Sequence, residues 1–318
     1  MSGDYTISVG WWYSLVIIIA LYALTEAWHI RRDHVVRLKE AVTWTVIYVA
    51  LGILYALPLF LRVGSQAGSE YLAAFFTEKA LSLDNLFVFG LIFAAFKLPK
   101  ELERRVLNYG VAGAIVFRLI FIIGGIAILQ KFEWVSIIFG IILLRAAWHA
   151  YKDAVGKSEE KEIKHTRTWK ILSAVMPFSH HYSGHRLTER INGKFAFTML
   201  MAVIVMIELT DVLFAIDSVP AVLAISTNRF IAYSSNIFAL LGLRALYFVY
   251  SEVADRFWAL KWGISVILVW ISVKLILMPF GVHISHWFNL GIILGIIGFS
   301  IILSNIYTPP RIEKTSDR

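Results

Sequence analysis

Two short stretches of this chain each place an acid six residues before an aspartate, inside long apolar runs. The first is Glu78-Lys79-Ala80-Leu81-Ser82-Leu83-Asp84-Asn85. The second runs from Asp211 to Asp217 and Ser218, with Glu208 just before it and Pro220 just after. A carboxylate at the centre of a bilayer helix costs about 2.5 kcal/mol or more, so such residues mark functional sites by default. Their appearance twice at one spacing predicts a single site where two repeats meet. Carboxylate, amide and hydroxyl oxygens suit hard divalent cations such as Mn²⁺, Ca²⁺ and Mg²⁺. Cysteine is absent from the sequence, which removes thiolate ligands and thiol redox chemistry. Two close aspartates, Asp84 and Asp217, cannot both ionise cheaply without a cation. Metal entry with proton release is therefore a natural coupling.

Spacing refines this reading. On a straight helix, residues seven apart share a face and residues six apart do not. Glu78 thus faces with Asn85, and Asp211 with Ser218. Asp84 and Asp217 point elsewhere unless their helices break. Pro220 cannot donate to the carbonyl of Ile216, which predicts a discontinuity at Asp217, and Ser82 with Asn85 predicts a weaker one at Asp84. Five bases lie within apolar runs: Lys79, Arg118, Arg145, Arg244 and Lys274. Arg118 and Arg244 are expected to hold the outer acids Glu78, Glu208 and Asp211, leaving the two aspartates for the ion. The plain alternative is an internal ion-pair network that stitches helices together.

The elements that carry these residues follow from composition. The 318 residues are 58% hydrophobic and 16% charged, against about 25% charged in soluble domains. The chain reads as an all-α polytopic membrane protein. Runs of about 20 apolar residues predict nine spans: 11–29, 41–62, 72–96, 106–129, 134–152, 195–225, 230–251, 259–279 and 285–306. The first run reads as a permanent helix with no cleavable leader. Of the 30 Lys and Arg residues, only Arg62, Lys131 and Arg229 fall in one set of alternate connections, and most of the rest fall in the other. By the positive-inside rule the N-terminus lies outside the cell membrane and the C-terminus in the cytoplasm. The net charge of +8 comes from those connections and implies no nucleic acid. The spans form one domain, 1–318, with a cytoplasmic loop at 153–194 and a tail at 307–318. His180, His181 and His185 in that loop suit either a metal sensor or a solvated surface. Spans 3–5 and 6–8 pair as an inverted repeat, Arg118 matching Arg244 and His149 falling opposite Lys274. Spans 1, 2 and 9 are additions. Trp11, Trp12, Trp134, Trp258, Trp262 and Trp287 fit interfacial belts in contact with lipid. Glycines such as Gly110, Gly113, Gly140, Gly242, Gly291, Gly295 and Gly298 fit close helix packing, and the Gly291–Gly295 step suits a homodimer face. No nucleotide-binding glycine loop is present, so no organic cofactor is expected.

The segments from Glu78 to Val88 and from Glu208 to Ala221 resemble the two signature segments of the TerC family, in the layout of its Alx-type members. Phe238 to Phe248 looks like that family's next segment. The resemblance implies a member of the LysE-type transporters that exports Mn²⁺, and carries the ion-site role to Asp84 and Asp217, with Glu78, Asn85, Glu208, Asp211 and Ser218 around them. Ca²⁺ is the second candidate cargo, and protons the candidate counter-ion. Thr198-Met199-Leu200 stands where members often have Thr-Pro-Leu, Glu26 where many have a helix 1 aspartate, and His149 where helix 5 often ends in lysine. A non-transporting scaffold acting through the 153–194 loop is the rival from another class. An enzyme is disfavoured: no nucleophile–base set accompanies the acids, and the Gly-x-Gly-Asp pattern of intramembrane aspartyl proteases is absent.

Overall fold

The computed structural model describes residues 7–30, 36–124, 134–154, 179, 182–191, 194–282 and 284–307. Eleven α-helices run through these residues: α1 Val9–Ile30, α2 Leu38–Leu54, α3 Ala56–Arg62, α4 Ser65–Ala95, α5 Lys100–Gly124, α6 Val135–Ala154, α7 Met199–Ile225, α8 Arg229–Leu241, α9 Leu243–Arg256, α10 Trp258–Leu277 and α11 His286–Ile306. Bridging the breaks at Tyr55 and Gly242 leaves nine helical rods among the described residues, matching the nine apolar runs. Six of them are long and apolar enough to cross a membrane. The 31-residue α4 is about 46 Å long, but Glu78, Lys79 and Asp84 interrupt its apolar character. The protein is a multi-pass integral membrane protein.

A strand pair was not expected. Thr188–Ile191 (β1) and Lys194–Phe197 (β2) form an antiparallel hairpin ahead of α7. Residues 195–197, read as the start of a span, belong to it instead. The helix begins at Met199, capped by the Thr198 hydroxyl, which accepts from the Met201 amide. Tyr182 anchors this segment to the bundle by donating to the Phe96 carbonyl at 2.8 Å. His185 is exposed and near Arg105, whose guanidinium donates to its carbonyl. His180, His181, most of the 153–194 connection and the tail beyond Tyr307 lie outside the described residues.

The core centres on α8, where every residue from Phe230 to Leu241 is buried. A helix buried on all faces must be wrapped by others, and α8 packs on α4, α5 and α2. The motif helices α4 and α7 pack on each other, α5 lies along α7, and α10 sits between α6 and α11. Large apolar side chains such as Leu21, Leu61, Ile120, Ile141, Phe299 and Ile306 are exposed on the outer helices, as lipid contact requires. Trp134 and Trp287 are exposed too, whereas Trp11 and Trp12 pack against the Phe230 ring. A Cβ at Gly291, Gly295 or Gly298 would meet nothing within 4 Å among the described residues, so these glycines do not serve close packing between the described helices. Gly110, Gly113, Gly140 and Gly242 do, each facing a side chain or backbone that a Cβ would strike.

The expected discontinuities are corrected. Both α4 and α7 run unbroken through Asp84 and Asp217, and Pro220 lies inside a continuous helix. Tight packing on both sides, with Val219 and Val222 fully buried, holds the turn that the proline weakens. Membrane helices tolerate proline in this way because neighbours fix the backbone. The breaks fall instead in the second and seventh rods, at Tyr55 and Gly242.

Close packing makes one substitution diagnostic. A Cβ at Gly52 would lie 2.5 Å from the Phe75 ring, and that ring is fully buried. Gly52→Val is expected to destabilise the protein by about 1–3 kcal/mol through overpacking. A lowered unfolding midpoint in detergent checks this, and Gly291→Val, in open space, should leave the midpoint unchanged.

Candidate functional site

The four motif acids form two clusters, each built around one base. Six residues along an unbroken helix amount to about 120° of rotation and about 9 Å of rise. Glu78 and Asp84 on α4 therefore face different neighbours, as do Asp211 and Asp217 on α7. The first acid of each motif turns toward α5 and α8. The second turns toward α10 and α11.

Arg118 of α5 organises the first cluster. Its guanidinium pairs with Glu78 and, at 3.1 Å, with Asp211. It also donates to the Asn236 amide oxygen at 2.7 Å and reaches the Ser218 hydroxyl at 3.5 Å. Asn236 in turn donates to Glu78 at 3.1 Å, and Asn85 donates to Asp211 at 3.3 Å. All six groups are buried. Two carboxylates and one guanidinium leave a formal deficit of one positive charge. The planar fork of arginine meets several acceptors at once; Asn236 takes the Glu78 oxygen that the guanidinium leaves over, and Asn85 shares an Asp211 oxygen with it.

Lys274 of α10 organises the second cluster. Its ammonium lies 2.6 Å from Asp217 and 3.2 Å from Asp84. Asn289 of α11 donates to both oxygens of Asp84 at 3.1 Å, and the Trp270 indole fixes Asn289 at 2.8 Å. The Asp84 side chain is 1% exposed, but that of Asp217 is 18% exposed. This cluster is also one positive charge short. A cleft joins the two clusters, walled by Leu81 and Phe214 and lined by both aspartates, Lys274, Glu78 and Arg118. Its enclosed space is about 10 Å³, roughly what one water molecule needs and too small for an organic ligand. The scale suits a small ion.

Several expected roles move. Glu208 does not join either cluster; it lies between α7 and α5, its carboxyl filling the space where a Gly113 Cβ would stand. Arg244 does not mirror Arg118: it donates to Asn108 at 2.7 Å and lines a separate cleft with Glu40 and Arg104. Lys79 donates to the Ala239 carbonyl at 2.9 Å, at the end of α8 where carbonyls lose helical partners and the dipole attracts a cation. It thereby holds the break at Gly242. His149 is exposed on α6, and the Glu26 side chain lies outside the description. Asn236 and Asn289 were missed by the sequence reading. The signal available was an amide inside an apolar run, and Asn289 lies in a helix taken as an addition. Among the described residues, no three acids or histidines converge as a metal cage.

Residues 63–311 match the profile of the TerC family of integral membrane proteins. The chain belongs to the TerC family. It is 34% identical to the Salmonella typhi protein Alx over 310 residues, 95% of each chain. It is 36% identical to Alx of Escherichia coli K12 over 282 residues, 86% of this chain and 87% of that one. The name of both describes a membrane-bound redox modulator. The membrane protein STKORF319 of Myxococcus xanthus is 32% identical over 98% of this chain and 96% of its own. No solved structure matches.

In this TerC protein the Arg118 cluster is the more sensitive to truncation. Arg118→Ala leaves Glu78 and Asp211 buried without a cation, and breaking such a buried pair costs about 3–5 kcal/mol. Thermal unfolding in detergent should show a large loss of stability. Arg118→Lys should not restore it, because an ammonium cannot span Glu78, Asp211 and Asn236 together.

Proposed function

We propose that this TerC protein is a secondary transporter that exports Mn²⁺ from the cytoplasm across the inner membrane, in exchange for protons. Its ion site is the aspartate pair Asp84 and Asp217. One observation carries the reading: matching aspartates from the two motif copies meet around a single cation inside the bundle, one positive charge short of neutrality. A divalent ion in place of the ammonium would balance both carboxylates. Asn85 and Ser218, which line the cleft, offer an amide and a hydroxyl oxygen, and the cleft gives room for an ion. The pairing of like positions, Glu78 with Asp211 and Asp84 with Asp217, fits helices related as an inverted repeat with the site at the repeat interface. The bias of Lys and Arg toward alternate connections supports an N-terminus outside and a C-terminus in the cytoplasm.

Ca²⁺ is the alternative cargo, since every ligand offered is oxygen. A thiol-based redox role has no residue in this chain to carry it, because the sequence holds no cysteine.

Flux measurements on purified protein in proteoliposomes test the proposal. Mn²⁺ uptake should be measurable for the wild type and fall to background with Asp84→Asn or Asp217→Asn. Deletion within the connection between α6 and α7 should leave it largely intact. Full Mn²⁺ flux in both aspartate variants, or none in well-folded wild type, would sink the reading. Ca²⁺ flux at equal rate would move the cargo to that ion.

A further inference from the structure

The two clusters have the same charge count but different bases, and the difference has a mechanical meaning. Arg118 is held by two acids, an amide and a hydroxyl, with 1% of its side chain exposed. Lys274 is held by its two aspartates, and its side chain keeps 8% exposure beside the cleft. A lysine is a compact charge on a flexible four-carbon stem. Its partner Asp84 is fixed by Asn289, and Asn289 by Trp270. Asp217 is the more open of the two acids. The ammonium therefore sits where an ion would bridge the pair, on the one arm of the cluster that can leave.

We infer that Lys274 is a tethered counter-cation that occupies the Asp84–Asp217 pair when the transported metal is absent and is displaced when it binds. This rests on the transport reading above. Two bare carboxylates in a low-dielectric site repel each other and resist burial. A divalent ion neutralises them on the loaded journey. On the metal-free return the lysine balances one of the two negative charges and the exchanged proton the other. Divalent ion and ammonium together would over-neutralise the pair, so the two exclude each other. Lys274 is thus the residue that lets the unloaded carrier reset.

The test separates net movement from exchange. In proteoliposomes, wild-type protein should take up radioactive Mn²⁺ both into metal-free vesicles and into vesicles preloaded with unlabelled Mn²⁺. Lys274→Gln should lose net uptake into metal-free vesicles yet retain exchange into preloaded ones. It should also bind Mn²⁺ at least about tenfold more tightly, because a close competing charge is gone. Net uptake and exchange that are retained together, or lost together in folded protein, overturn the inference. Wild-type protein that moves Mn²⁺ in neither assay overturns the transport reading first, and this inference with it. Should Lys274→Gln fail to fold, the wild type still decides. Acetic anhydride labelling of Lys274, read by mass spectrometry, should rise on saturation with Mn²⁺. Labelling that stays level or falls contradicts displacement.

Discussion

Four carboxylates inside a membrane bundle must be neutralised locally, and the rest of this structure follows from that constraint. Glu78, Asp84, Asp211 and Asp217 come from only two helices, α4 and α7. Two bases are brought to them, Arg118 from α5 and Lys274 from α10. Each base bridges one acid from each motif helix. The bases therefore clamp α4 against α7 at two levels, and α5 and α10 are drawn in on separate sides. Amides complete the shell from α8 and α11, so both of those helices must also lie close.

The two clusters serve different ends. Arginine with several buried acceptors makes a joint that holds its helices in one arrangement. Lysine between two aspartates, beside a cleft, makes a place where one cation can substitute for another. Lys79 shows a third use of a buried base. It caps the end of α8 at the Gly242 break, where a Cβ on residue 242 would lie 2.8 Å from its ammonium. The irregular backbone thus sits against the first cluster's helix and not within the motif helices themselves.

Much of this was legible in the sequence. The nine apolar runs appear as nine rods with ends shifted by a few residues, because hydrophobic length is a strong signal. The repeated motif marked the acids, and helix periodicity already separated Glu78 from Asp84 and Asp211 from Asp217. The inference from Pro220 to a broken helix was wrong because packing overrode a local backbone preference. Arg244 was assigned to the acids by its matching position, but long-range contacts decide which base reaches which acid. Asn236 and Asn289 carried too little local signal to be chosen over other polar residues. The hairpin at Thr188–Phe197 was hidden in a segment read only as a loop.

The central claim is that the aspartate pair holds one divalent ion that the lysine otherwise replaces. Electron paramagnetic resonance of Mn²⁺ titrated into purified protein tests it most directly, because bound and free Mn²⁺ give distinct signals. The account predicts one bound Mn²⁺ per chain in the wild type and none at the same concentration when Asp84 and Asp217 are both changed to asparagine. Unchanged binding in that double variant, or no binding by folded wild type, would contradict it.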